Sequence, residues 1–519
     1  MDDGQMKKPI TTTGDALRAE LAGADSDSAD QLLTSLGYTP EMKRNRSTFE
    51  VASMSFILAS IPYGLSTTLY YPLVASGPVG IIWGWLAVSL IILTVAASLG
   101  EITSVYPTAG GVYYQSFQLA PPEWRHLAAW TCGWLYMVGN VTITLAVNFG
   151  TTLFLVGCIN VFEAADGGLV FAGDPWQVFL VFLAITFLCN AVSALGNKWL
   201  PILDTFAIFW TFAGVVAIIV CVLAMAKEGR HDAKWVFTHF EVNSGWTPGW
   251  SFMVGLLHAA YATSSTGMII SMCEEVRAPA EQVPKAMVLT VCINTVAGLM
   301  FMIPLVFVLP DIQELILSAQ PVPVIIKAAV GNSGGAFGLL IPLLVLALIC
   351  GIGCTTATSR CVYAFARDGA IPGSRLWKQI DHRLDEVPLN AMMLSMVVQI
   401  VLGAIYFGST AAFNAFSGVG VIALTASYAA PIVISMLTGR KTVSTAKFNL
   451  GAPLGWFCNI VATCWSLLAI PLFCMPTIVP VVDPALMNYA SVVFVGFTVI
   501  SIGWYVAWGR IHYIGPPVA

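Results

Sequence analysis

The residues of this chain best suited to chemistry lie where apolar sequence is interrupted. The stretch "SIPYGLSTTLYYP", Ser60 to Pro72, carries seven hydroxyls, on Ser60, Tyr63, Ser66, Thr67, Thr68, Tyr70 and Tyr71, with the helix breakers Pro62 and Gly64 among them. A second interruption, "YATSSTG" from Tyr261 to Gly267, carries five hydroxyls and a glycine but no charge. In hydrocarbon an unsatisfied backbone group is costly, so irregular backbone persists there only against protein or a water-filled cavity. A broken helix exposes carbonyls at the end of one half and N–H groups at the start of the other. The carbonyl end suits an ammonium or metal cation, the N–H end a carboxylate. Two facing breaks therefore make a receptor for a small amino compound. Its candidate residues are Pro62, Tyr63, Gly64, Ser66 and Thr67 on one side and Tyr261, Thr263, Ser264, Ser265 and Gly267 on the other. Rings at Tyr63, Tyr70 and Tyr261 could meet an ammonium face-on. For either stretch alone, the competing reading is a proline kink with hydroxyls bonded back to the helix.

Ionisable groups within apolar runs are few, and each is a candidate for moving a proton. They are Asp204 in "LPILDTF", His258 one turn before the second interruption, and Glu101 at the end of another run. Each has a plainer reading as a satisfied structural group. The stretch "CTTATS" (354–359) sets Thr355, Thr356 and Thr358 on a helix, where hydroxyls could hold a cation or simply pack. The twelve cysteines show no metal or redox spacing and read as small buried residues. No nucleophile and base cluster as a membrane-embedded enzyme would need, so no catalytic residue, metal or cofactor is expected. No GxxxxGK[ST] motif, charge ring or filter-like loop points to ATP drive or a channel.

What must position these groups follows from composition. Only 10% of the 519 residues are charged and 57% are hydrophobic, which excludes an ordinary soluble chain and a nucleic-acid binder and predicts a multi-pass protein in a lipid bilayer. A helix needs about 20 apolar residues to cross. That length predicts twelve spans, near 49–72, 79–100, 126–157, 176–195, 200–226, 249–273, 284–309, 335–366, 388–407, 412–437, 454–480 and 485–508. The runs do not alternate as a β-barrel would. An even number puts both termini on one side. If that side is the cytosol, outer segments hold only Lys227, Arg230, Lys234 and Lys327, and inner segments hold the other 19 of 23 Lys and Arg, the positive-inside bias. The interruptions fall in spans one and six, the first members of two successive sets of five. Breaks at corresponding places in two halves predict an inverted-repeat transporter with its site near the midplane. The predicted layout is a mostly disordered cytosolic segment over 1–48 with one short helical stretch and a ten-helix core over 49–437. An inner loop with two further helices over 438–508 and a cytosolic tail over 509–519 complete it.

Three loop motifs lie between these spans: "SLGEITSVYPTAGGVYY" (98–114), "EEVRAPAEQVPKAM" (274–287) and "SRCVYAFARDGAIP" (359–372). Glu274 and Glu275 could form state-dependent salt bridges with Arg360 and Arg367, which lie two turns apart on one helical face. In this order the motifs resemble the amino acid–polyamine–organocation superfamily. The stretches "LGYTPEMKRNRS" (36–47), "MNYASVVF" (487–494) and "GRIHYIGPP" (509–517) resemble its fungal amino acid/choline branch, which includes GABA and choline permeases. The resemblance implies an all-α membrane protein of twelve transmembrane helices, a 5+5 inverted repeat (LeuT-like) plus two C-terminal helices. It further implies a secondary active transporter that imports a small amine or amino acid, such as GABA or choline, by proton symport with alternating access. The plasma membrane is its expected place, with the vacuolar membrane as the alternative. A sodium-coupled or exchange-type amino acid or polyamine transporter, or a nutrient-sensing receptor derived from such a permease, is the competing function. Members of that family often carry an acid and a histidine in span six before the Glu-Glu pair. Alignment on Glu274 and Glu275 puts those positions at Gly267 and Ser271, so this chain has neither.

Overall fold

The structure, a computed structural model, describes residues 25–44, 46–164, 168–226, 230–407, 410–483 and 487–518. Among them twelve helical segments are long and apolar enough to cross a bilayer. Spans one to six are Thr48–Thr68, Gly77–Val105, Arg125–Ile159, Pro175–Leu195, Asn197–Met225 and Pro248–Glu275. Spans seven to twelve are Pro279–Phe307, Ser333–Arg367, Leu389–Phe407, Gly418–Leu437, Ala452–Leu472 and Ala490–His512. No β-strand occurs among the described residues, only isolated bridges. Burial ranks the spans: 89% of the most apolar window of span six is buried, against 11% for span twelve, so span six is central and span twelve faces outward.

The packing carries the repeat. Span five packs on spans one and eight, and span ten on spans six and three. Span four packs on spans three and eight, and span nine on spans eight and three. Adding or subtracting five maps each pair onto another pair. Because five is odd, the matching helices run in opposite directions across the bilayer, which is what makes the repeat inverted.

Span one is broken, but not where the sequence pattern placed it. Thr48–Ala59 starts on a Ser47 capping box and ends at Ser60, whose φ of 40° is left-handed. Helix resumes at Ile61–Thr68 and continues through Tyr70–Ala75, ending at Ser76 before span two begins at Gly77. The stretch Pro62 to Thr67, expected to be the break, is therefore the start of the second half. The reason is that proline is tolerated in a first helical turn, where its missing N–H costs nothing. Span six is regular over Pro248–Gly255 and Leu257–Thr263, then winds as a 3₁₀ helix over Ser264–Glu275. Twelve residues of 3₁₀ helix rise about 24 Å rather than the roughly 18 Å of α-helix. Such a run is long for this conformation, and external bonds must hold it.

The segment before span one also departs from expectation. Residues 1–24 lie outside the described residues, but residues 25–35 are helical and 25–44 and 46–48 pack on the transmembrane core. Leu33, Leu36, Tyr38 and Met42 are buried, which is the apolar gain that orders a stretch expected to be mostly disordered. The C-terminal tail meets it on the same face, where Gln118 Nε2 donates to the Pro517 carbonyl and Pro517 packs against Gly37.

Candidate functional site

Leu58 lies in the last turn of the helix that ends at Ala59, where carbonyls lack an intrahelical partner, and Pro62 offers no N–H either. Its carbonyl turns to span six, where Ser265 Oγ donates at 2.7 Å, and to span eight, where Cys350 Sγ lies at 3.8 Å. Ser60 Oγ bonds the neighbouring Ile57 carbonyl. At Gly64 an added Cβ would stand 3.3 Å from the Ala262 Cβ, so the two spans touch there through small residues. The interruption of span one at Ser60 therefore lies against the point where span six passes from α to 3₁₀ winding, and span six is helical throughout. Among the described residues no charged side chain bonds to Leu58, Ser60, Gly64, Ser265 or Gly267.

Other expected site residues are committed elsewhere. Ser66 Oγ donates to the Pro62 carbonyl, Thr67 Oγ1 to the Gly64 carbonyl, Thr263 Oγ1 to the Ala259 carbonyl and Ser264 Oγ to the Tyr261 carbonyl. These are the back-bonds of the plainer reading. Tyr63 is buried, its hydroxyl 2.9 Å from the Val147 carbonyl and 3.0 Å from Thr151 Oγ1 of span three. Tyr261 is half-buried against the core. His258 is buried, with Nδ1 3.0 Å from Thr68 Oγ1 and Nε2 without a partner.

Two tyrosines that the sequence did not single out hold the 3₁₀ part of span six. Tyr136 of span three donates to the Gly267 carbonyl at 3.2 Å, and Tyr428 of span ten to the Ser264 carbonyl at 3.1 Å. A Cβ at Gly267 would lie 2.5 Å from the Tyr428 ring, so glycine is required for that contact. Beside it, a cavity of about 20 Å³ lined by Val95, Thr266, Gly267, Thr425, Tyr428 and Trp465 has room for about one water.

The loop acids and arginines form a buried network at the face where the segment before span one and the tail after span twelve meet. Glu275 Oε1 lies 2.8 Å from Arg360 Nε, and Glu275 Oε2 lies 3.4 Å from Arg46 Nε. Arg46 Nη1 reaches Asp204 Oδ2 at 2.9 Å, and Arg360 Nη2 donates to Asn197 Oδ1 at 2.9 Å. Burial disfavours the Arg46 charge, but Asp204 and Glu275 outweigh it and hold the guanidinium above its ordinary pKa. Glu274 is paired fork-to-fork with Arg367 at 2.9 and 3.1 Å and accepts the Ala109 N–H. Arg367 lies 3.9 Å from the centroid of the Tyr38 ring, while the hydroxyls of Tyr38 and Tyr113 donate to Asp368. Burial raises the Asp368 carboxyl to about 6, with Arg367 and the two hydroxyls opposing. Arg44 bonds the Cys273 and Val276 carbonyls, and Arg46 bridges span six through its own backbone.

Three expectations change against this geometry. Asp204 is the counter-ion of Arg46 rather than a lone acid. Glu101 accepts Arg440 Nη2 at 2.7 Å and the Leu450 N–H at 2.8 Å, fixing the loop before span eleven. Thr355, Thr356 and Thr358 do not converge. Thr356 Oγ1 meets Ser193 of span four, Thr358 Oγ1 meets Thr144 of span three, and Thr355 Oγ1 has no partner. Steps of 100° per residue put Thr356 on a different face from Thr355 and Thr358, which lie about 60° apart, and of these two only Thr358 has a hydroxyl partner. Arg44, Arg46, Tyr38 and Asp368 were missed as functional residues. The available signal was the basic "KRNR" run just before span one, which needs buried acids if it packs.

The profile of the amino acid permease family matches residues 47–497. An uncharacterised amino-acid permease of Schizosaccharomyces pombe is 30% identical over 501 residues, 95% of this chain and 90% of its own. The choline transporter of Saccharomyces cerevisiae is 31% identical over 464 residues, 89% of this chain and 81% of its own. The polyamine transporter TPO5 of the same yeast is 29% identical over 471 residues, 89% and 75% of the two chains.

Proposed function

The chain belongs to the amino acid permease family, and on that footing we propose that it imports a small amine or an amino acid with at most one carboxylate, driven by protons, through a site between the break of span one and the start of 3₁₀ winding in span six. It is a multi-pass membrane protein and a permease, not an enzyme. One observation carries the substrate class. The Leu58 carbonyl, left open by the helix end at Ser60, is occupied by the Ser265 hydroxyl and the Cys350 thiol, two neutral donors where a substrate ammonium would bind. No Lys or Arg lies at either interruption to balance a second negative charge, so zwitterions and amines fit better than dianions. Relatives named for choline and polyamine transport agree with that chemistry. The buried ion network supports alternating access, because it closes the terminal face while spans one and six stay in contact. That face is the cytosolic one in our reading, and the plasma membrane is the proposed place. Commitment of Thr356 to span four and of Thr358 to span three weighs against sodium.

The test is radiotracer uptake by purified protein in proteoliposomes under imposed proton or sodium gradients. The panel comprises choline, 4-aminobutyrate, putrescine, spermidine and common amino acids. Uptake of at least one member against its gradient, driven by an acid exterior, is expected. Uptake that only equilibrates, or that follows sodium alone, contradicts the reading.

A further inference from the structure

Thr68 is the last residue of the Ile61–Thr68 helix of span one, and His258 lies in the Leu257–Thr263 helix of span six. Thr68 Oγ1 lies 2.8 Å from the Gly64 carbonyl and 3.0 Å from His258 Nδ1. A threonine hydroxyl has one hydrogen to give. If it goes to Gly64, Nδ1 carries a hydrogen and donates to Thr68. The reverse arrangement gives up the Gly64 bond and leaves a buried Nε2–H with no acceptor. Orphaned buried N–H groups are rare and costly, so the first arrangement wins. Neutral His258 therefore bears its hydrogen on Nδ1. Its Nε2 keeps a bare lone pair, 1% exposed as a residue and unpartnered.

The titratable groups on the helices packed against His258 are engaged elsewhere or lack charge. On span one, Tyr63 is bonded to span three, and Tyr70 and Tyr71 are neutral phenols. On span two, Glu101 is paired with Arg440, and on span ten Tyr428 is bonded to Ser264. On span six, Tyr261 is neutral, and Glu274 and Glu275 are paired with arginines at the terminal face.

We propose that His258 Nε2 is where the transported proton binds, and that Thr68 is the positioning residue that keeps that nitrogen free. This rests on the proton-driven reading above. The proton adds to Nε2 in the arrangement open to the outer side, where entering water accepts the new Nε2–H, turning imidazole into imidazolium, and it leaves the same nitrogen toward the inner side after the transition. No other covalent bond is made or broken. The imidazolium stands between the two spans, beside the Ile61–Thr68 helix. Its Nδ1–H bond to Thr68 becomes charge-assisted, so protonation tightens the contact between the two spans.

The experiment compares uptake driven by an acid exterior with counterflow at equal pH, using whichever panel compound the wild-type protein accumulates. The ratio of driven uptake to counterflow is expected to fall about tenfold in His258→Gln and in Thr68→Val, and to recover in Thr68→Ser. A merely structural Thr68 would lower both activities together and leave the ratio unchanged. A wild-type ratio in both variants, or a raised KM with an unchanged pH dependence, overturns the assignment and makes His258 a packing or substrate contact. A wild-type protein that ignores the pH gradient overturns proton coupling itself, and the assignment with it. Should His258→Gln fail to fold, Thr68→Val carries the same test, and nuclear magnetic resonance of isotope-labelled histidine in lipid nanodiscs adds a second. A resonance with protonated Nδ1 and bare Nε2, shifted by Thr68→Val, is expected at neutral pH. The opposite tautomer contradicts the proposal.

Discussion

Arg360 of span eight and Glu275 of span six meet at 2.8 Å with side chains 1% and 6% exposed. Two guanidiniums and two carboxylates, adding Arg46 and Asp204, share this water-poor site and balance in charge. Removing one member leaves its partner buried and under-paired, a loss of about 3–5 kcal/mol to the closed arrangement. Arg360→Gln should therefore open the terminal face. The native thiol of Cys273, buried on the 3₁₀ segment beside Arg44, reports it. Alkylation of Cys273, read by mass spectrometry, should rise about tenfold or more. Unchanged protection would mean that the network does not hold this face shut.

Asp204 should behave as a structural counter-ion rather than as a lone acid. Asp204→Asn is expected to destabilise the protein by about 3 kcal/mol, and Asp204→Asn with Arg46→Gln by much less than the sum of the single changes. Thermal unfolding in detergent measures this. Additive losses would show that the 2.9 Å contact carries no coupling.

The Asp368 cluster predicts a pH effect with a definite sign. Burial lifts this carboxyl to about 6 in the closed arrangement, above its ordinary value of 3.8. The closed state therefore binds the proton more tightly than an opened, solvated one. Lowering inner pH from about 6 toward 4 should favour closure, and raising it through about 6 should weaken closure. Alkylation of Cys273 at inner pH 5 should be slower than at pH 7.5, and Asp368→Asn should remove most of that difference. Faster labelling at the lower pH would reverse the sign and refute the account of this cluster.

Bulk at the two glycines should act unequally. At Gly64 a methyl would sit 3.3 Å from the Ala262 Cβ, a contact small shifts can relieve, whereas at Gly267 it would strike the Tyr428 ring at 2.5 Å. Gly64→Ala should retain measurable uptake and Gly267→Ala should lose most of it, with overpacking costing about 1–3 kcal/mol. Gly64→Leu and Gly267→Leu should both abolish uptake while leaving folded protein in the membrane. Wild-type uptake by either leucine variant would mean that the spans do not need this close approach.

Much of the fold was legible because membrane spans announce themselves by length and apolarity. Tyr261 to Gly267 drew notice because hydroxyls and glycine are out of place in such a run, and the α-helix does give way within it to 3₁₀ winding, at Ser264, rather than to a break. Span one was harder to read. Pro62 advertised a break, but the chain breaks two residues earlier at Ser60, because proline fits the first turn of the helix that follows. Thr356 and Thr358 of span eight looked like a cluster in one dimension and diverge in three. Pairings such as Arg46 with Asp204 join residues 158 positions apart, and no local pattern encodes which arginine finds which acid. Tyr136 and Tyr428 carried no signal, since one tyrosine in a span reads as packing until the carbonyl opposite it is known to be free.

The most direct test of the site is a cryo-electron microscopy structure of the protein in lipid nanodiscs with a saturating concentration of the compound it transports. The account predicts ligand density between the Leu58 carbonyl and span six, with the amino group on that carbonyl and the Ser265 hydroxyl displaced from it. Density confined to the cavity beside Tyr428 and Trp465, with the Ser265 to Leu58 bond intact, would contradict it.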